Sequence, residues 1–223
     1  LATRHGESTD SFRDRLTALD ERTLSSALDT DDGKLAFWIN VYNAVTQDAL
    51  DRNPDQYDKR SFFSKPLVTV AGEQLSLDDI EHEILRRSYS KFTLGYLRSP
   101  FRGGFTARHA VEQRDPRIHF AVNCGAESCP PIAAYTADRI DEQLDVATRG
   151  YLDSHAEYDP DAGRVAVPRV MLWYRGDFGR KRDILALLVE YEQLPPGARP
   201  RLSYRDWDWS MAPGAFAEER LTE

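Results

Sequence analysis

Apolar positions along the chain alternate between sparse and dense stretches, and each stretch predicts an element. Between Ser11 and Leu28 the residues Phe12, Leu16, Leu19 and Leu24 recur at roughly helical spacing in a polar background, which predicts one or two leading helices. From Lys34 the run KLAFWINVYNAVTQDAL is apolar around most of its circumference, the pattern of a buried helix. Asn40, Asn43 and Gln47 break that pattern. At 100° per residue the three amides share one face, so something polar should meet them. Pro66 to Val70 followed by Gly72 reads as a strand and turn, and LSLDDIEHEILRR opens with Ser76 and Asp79 at capping-box spacing, predicting a helix from about Leu77. A wheel drawn on that helix turns Glu81 inward with Leu77 and Leu85 and leaves His82 on the flank.

Downstream, Tyr89 to Gln113 with its FRGGF stretch predicts a long ordered loop containing short helical pieces. Arg117 to Val122 has strand character, and Gly125, Pro130 and Pro131 stop any regular element, which sets Cys124 and Cys129 in a tight loop at a strand end. Thr136 precedes a helix from about Asp138 to Leu152. GRVAVPRVMLWYRGDF predicts a strand then a turn, Asp183 to Tyr191 a helix, and RLSYRDWDWS a late strand. No internal repeat, heptad array or low-complexity tract interrupts this order. The expectation is a single α+β domain, with a small sheet carrying the cysteine loop and packed by several helices.

Composition narrows the function classes. The 223 residues are 41% hydrophobic and 30% charged, with a formal charge of −8. A chain of this length buries roughly 70% of its extended surface and needs neither disulfide nor metal to hold a core. Twenty-four arginines against five lysines, within an acidic excess, argue against a general nucleic-acid binder and against a polybasic membrane-surface protein. No run of about 18 apolar residues is present, so no membrane span is expected. The first residue is Leu1, and the sequence leaves the compartment open.

Four motifs then occur in order: FWINVYNA at 37–44, LSLDDIEHEILR at 75–86, RIHFAVNCGAESCPPI at 117–132 and YRDWDWS at 204–210. Together they resemble the domain of unknown function 547 family over about residues 34–211. The late motif usually closes with an Asn in that family, whereas Ser210 is followed here by Met211 and Ala212. The resemblance implies a shared fold unit and a shared site, with no agreed reaction. It divides the chain into an N-terminal helical extension (1–33), the family-like domain (34–212) and a C-terminal tail (213–223).

The densest chemistry lies around Cys124. A thiol after a strand and before Gly125, in a loop whose amides can converge on an anion, has the setting of a nucleophile with its own oxyanion hole. The same thiol can instead pack beneath the loop, or pair with Cys129 as a staple. A third reading takes His119, Cys124 and Cys129 as zinc ligands, with a fourth from Glu81, His82 or Asp115. On a straight strand His119 stands about 16 Å from Cys124, at about 3.3 Å per residue. Either the chain folds back there, or the base is His82.

Asn40 and Asn43 can orient a histidine or donate to an oxyanion, or they can tie loop backbone to the helix. Glu81 is read as an acid or base, or as an ion-pair partner of Arg117 or Arg86. Trp207, Asp208 and Trp209, with Trp173 and Asp177, are expected to be packed aromatics around one or two buried carboxylates. His5, His109 and His155 are expected at the surface, and the arginines 98, 102, 108 and 114 form a series suited to an anionic ligand if they converge. The leading expectation is thiol-dependent hydrolysis or acyl transfer on an amide or thioester, with a small-molecule or peptide substrate and no cofactor. Its catalytic set is Cys124, His119 or His82, Asn40 or Asn43, and Glu81, in a papain-like arrangement of rearranged chain order. The rivals are a non-catalytic binding or scaffold domain with a Cys124–Cys129 loop, and a zinc-binding domain.

Overall fold

The computed structural model describes residues 8–57, 61–99 and 104–217. Two short helices lead, α1 (Asp10–Thr17) and α2 (Glu21–Ala27), the latter capped by Asp20, whose carboxylate accepts the Thr23 N–H at 2.9 Å. Thr30 caps α3 (Asp31–Arg52) in the same way through the Gly33 N–H. Its apolar circumference has the predicted consequence: Trp38 and Ile39 are wholly buried, and α3 is the centre of the first apolar cluster, with β1, β2 and the helix after them.

After α4 (Ser61–Ser64), β1 (Val68–Val70) and β2 (Glu73–Leu75) pair antiparallel, Val68 opposite Leu75. Ala71 and Gly72, both at positive φ, make the connecting turn, which suits the right-handed twist of the two strands. The capping box then forms as the spacing predicts: the Asp79 carboxylate accepts the Ser76 N–H at 2.9 Å, and the Ser76 hydroxyl accepts the Asp79 N–H at 3.1 Å. The helix it starts, Asp79–Leu85, is a π-helix, closed by the Arg86 N–H donating to the Glu81 carbonyl. The wider turn corrects the position of His82. An α-helical wheel puts it on the flank, whereas here both Glu81 and His82 are buried.

The 89–113 stretch holds a short 3₁₀ turn (Lys91–Thr93) and α5 (Gly104–His109). His109 is buried against Trp38 and Phe105 and is not the surface residue expected, while His155 is half-buried on Tyr151 and His5 lies outside the described residues. A larger correction concerns Arg117 to Val122, which the sequence predicts as a strand. Pro116 and the N-cap Asp115, which accepts the Arg117 N–H at 2.8 Å, instead wind Pro116–Phe120 into a 3₁₀ turn. The chain is coiled there, so the extended-strand separation of His119 from Cys124 does not apply. The cysteine loop therefore sits on no sheet.

α6 (Ile140–His155) follows close to its predicted bounds. A second sheet, in the order β3 (Glu157–Asp159), β4 (Arg164–Val167), β5 (Arg201–Tyr204), has an antiparallel β3–β4 pair and a parallel β4–β5 pair. Between β4 and β5 run α7 (Val170–Trp173), α8 (Arg175–Phe178) and α9 (Lys181–Glu190), so the expected turn after β4 is two short helices. The late strand ends at Tyr204, before the tryptophans. One apolar cluster gathers on α3, β1, β2 and the π-helix, and a second on α6, α9 and the three-stranded sheet. With helices dominant and two small sheets, the domain is α+β as expected.

Candidate functional site

The amides of α3 build the floor of the site. Asn43 donates to the Ala121 carbonyl at 2.9 Å and accepts the Asn123 N–H at 2.7 Å. Asn40 clasps both backbone groups of Tyr135, and Gln47 joins the Asn123 side chain to the Gly214 N–H. Asn123 in turn donates to the Pro130 carbonyl and accepts the Gly125 N–H. Each α3 amide is therefore engaged with irregular backbone: Asn43 holds the chain entering the cysteine loop, Asn40 the chain at Tyr135, and neither has a hydrogen bond to His82 or His119 among the described residues. Gly125, at φ +85°, completes the fit: a Cβ there would stand 2.4 Å from Leu50 Cδ1.

On that floor Cys124 and Cys129 are joined in a disulfide. The expectation of a free, nucleophilic Cys124 is not met in this form, because both sulfurs are in the bond. The Cys124 N–H donates to the Cys129 sulfur at 3.1 Å. The same bond leaves no thiolate for zinc, and among the described residues no three His, Cys, Asp or Glu side chains gather in a way that could hold a metal ion.

Above the loop, the π-helix delivers a chain of buried polar groups. Glu81 accepts the Tyr42 hydroxyl at 3.1 Å and is also hydrogen-bonded to Tyr174. Burial alone would raise its pKa, but His82, His119, Arg86 and the Tyr174 hydroxyl together outweigh burial and hold the carboxyl below its ordinary range. Burial and the Glu81 charge push both phenols well above theirs, so they stay protonated as donors. His82 bridges Asp78 at 3.3 Å and the Arg86 guanidinium at 3.0 Å. Despite burial, hydrogen bonds and charge from His82 and Lys91 bring Asp78 down to about 2.

Asp177 is the hub. Its carboxylate meets Arg86 Nε at 2.6 Å, Arg114 Nη1 at 2.5 Å and His119 Nε2 at 2.8 Å. Burial opposes its ionisation, yet His119 and Arg86 keep it ionised far below the usual range. Arg86 is therefore paired with Asp177 and Arg117 with Asp115, Asp141 and Asp145, so neither makes the ion pair expected with Glu81. An ionised carboxylate only accepts, which assigns the imidazole proton to Nε2. Burial lowers the His119 pKa, so the ring is neutral at pH 7 with Nδ1 unprotonated, and Nδ1 has no hydrogen-bond partner among the described residues. Tyr174 stacks on the ring at 4.2 Å and 8°, fixing its plane.

These groups converge. A cavity of about 200 Å³, where the two apolar clusters meet, is lined by Glu81, His82, His119 and both cysteines, with Trp173, Trp207 and Trp209 on its aromatic side. Asn40 and Asn43 do not line it. Of the arginine series, Arg108 pairs with Glu21, Arg114 pairs with Asp177 while its guanidinium lies over the Tyr89 ring, and Arg102 lies outside the described residues. Arg98 lies over Tyr89.

The family described as "Protein of unknown function, DUF547" matches residues 26–152, more than half of the chain. The chain belongs to this family. No curated protein and no solved structure matches it. The DUF547 match contains α3, the π-helix, His119 and both cysteines. It stops short of Tyr174, Asp177 and the tryptophans, which the fold returns to the same cavity.

Sequence reasoning missed Tyr42, Asp78 and Tyr174, and took Asp177 for a carboxylate among aromatics. Asp78 lay within reach of inspection, four residues before His82. The Asp177–His119 contact spans 58 positions, and no local pattern reports it.

Proposed function

We propose that this cavity carries out thiol-dependent acyl transfer, hydrolysing or transferring a small amide or thioester, with Cys124 as nucleophile once the disulfide is opened. The supporting observation is the buried, neutral His119 ring, held by Asp177 through Nε2 and lining the same cavity as Cys124, as a base oriented by a carboxylate should be. Two thiols of a dithiol reductant close into a disulfide as Cys124 and Cys129 become thiols. His119 Nδ1 then takes the Cys124 proton, and the sulfur bonds the substrate carbonyl carbon. As the tetrahedral intermediate collapses, the amine or thiol leaves with the proton from His119, and water or an acceptor nucleophile cleaves the remaining acyl–sulfur bond. Cys124 is the more exposed of the pair, which makes it the attacking sulfur and Cys129 the resolving one. The order His119, Cys124, Asp177 is a rearrangement of the papain-like one.

The test is iodoacetamide labelling at neutral pH after mild reduction, read by mass spectrometry. Native Cys124 should react faster than the same residue in denatured protein, and His119→Gln should remove that advantage. A native rate no faster than the denatured one overturns the proposal. A second reading, a non-catalytic binding domain with a stapled loop, is favoured by the disulfide itself and by the commitment of every α3 amide to backbone. It requires that opening the bond leave Cys124 with ordinary thiol reactivity.

A further inference from the structure

Seven residues beside the cavity, Lys91–Leu97, carry four large apolar side chains turned to solvent: Phe92 is 89% exposed, Leu97 63%, Tyr96 52% and Leu94 42%. A loop in water ordinarily leaves much of its backbone to the solvent. This one does not. The N–H of Phe92 donates to the Ser90 hydroxyl, those of Thr93 and Gly95 to the Ser90 carbonyl, that of Leu94 to Lys91, and those of Tyr96 and Leu97 to the Thr93 carbonyl and hydroxyl. Every N–H from Phe92 to Leu97 is thus satisfied inside the protein. Most of the carbonyls are too: Leu94 accepts the Gly176 N–H at 2.6 Å, Gly95 accepts Arg114 at 3.0 Å, and Leu97 accepts the Ser90 N–H.

We infer that this loop docks the protein on the surface of a lipid bilayer by inserting Phe92, Leu94, Tyr96 and Leu97 among the acyl chains. A segment entering hydrocarbon must bring its backbone hydrogen bonds with it, and this loop does so for every N–H from Phe92 to Leu97 and for the Thr93, Leu94, Gly95 and Leu97 carbonyls. Its four large apolar side chains stand exposed at the surface, and a fluid phase takes such side chains without a complementary pocket. Lys91 and Arg98 flank the tip in the chain, with the Arg98 guanidinium over the Tyr89 ring. Arg98 has no carboxylate partner among the described residues, and Lys91 shares Asp78. The acidic, lysine-poor composition argues against a polybasic attraction to membranes; it does not bear on apolar insertion. Docking would also reach the cavity, because Arg114 holds Gly95 and Asp177 together.

Flotation with phosphatidylcholine vesicles tests this on the full chain. The native protein should float with the vesicles, and Phe92→Ser/Leu97→Ser should weaken partitioning on the order of 100-fold, each large apolar side chain contributing about tenfold. Circular-dichroism melting of that variant should match the native protein, since both side chains are exposed. A native protein that stays with the aqueous fraction overturns the inference, as does a double variant that floats equally well. So does a native dimer in light scattering that the double variant dissociates, which would assign the loop to a second copy of the chain.

Discussion

Replacing Asp177 by leucine should destabilise this protein about as much as truncating a large aromatic in its core. The Arg86 side chain is 0% exposed and holds the carboxylate at 2.6 Å; Arg114 and His119 share it. Removing one partner leaves a guanidinium without countercharge in a place water does not reach, a loss of about 3–5 kcal/mol. At about 2–4 °C per kcal/mol for a chain of this size, the melting temperature should fall by roughly 6–20 °C. Urea unfolding at constant slope measures the free energy directly. Arg86→Met should cost a similar amount, and the double variant at least about 1 kcal/mol less than the sum, because it removes both members of the pair. The pH dependence has a definite sign. Asp177 titrates far lower folded than unfolded, so its contribution is complete above the unfolded carboxylate value of about 3.9 and is lost as pH falls through the folded value. The gap between native and variant should hold from pH 8 to 5 and narrow below about 4. A single variant costing under about 1 kcal/mol, or strict additivity of the two, refutes the hub.

Further outcomes follow from the same contacts. Asn43→Ala strips partners from the Ala121 carbonyl and the Asn123 N–H, both buried, and should cost about 2–4 kcal/mol in urea unfolding, with the Asn123 amide losing hydrogen-exchange protection. Gly125→Ala forces a side chain onto Leu50 at a positive φ, and a loss of about 2–4 kcal/mol in thermal unfolding is expected. His119 is neutral in the fold and titrates near 6.5 when unfolded, so the unfolded chain binds the extra proton. Stability should therefore decline as pH drops below about 6.5, and His119→Gln should flatten that slope in a pH series of denaturation curves.

The sequence by itself determined much of the fold, and the reason is local chemistry. A near-continuous apolar run made α3, Ser76 and Asp79 formed their reciprocal cap, and Gly125 with two prolines ended regular structure at the cysteines; each depends on residues within a turn or two of one another. The amide stripe was equally legible as a face that had to meet polar groups. What it met was not, since Ala121, Asn123 and Tyr135 lie 78 to 95 positions away. Tertiary structure also decided points where local reading failed, among them three: Pro116 and Asp115 coiled an expected strand, the π-turn drew His82 inward, and His109 was enclosed between rings. Above all it brought Asp177, from helices outside the family match, against His119. Which tautomer that imidazole holds, and whether its second nitrogen is open, follows from a contact between distant segments, and burial with charge pairing at that contact sets the chemistry of the cavity.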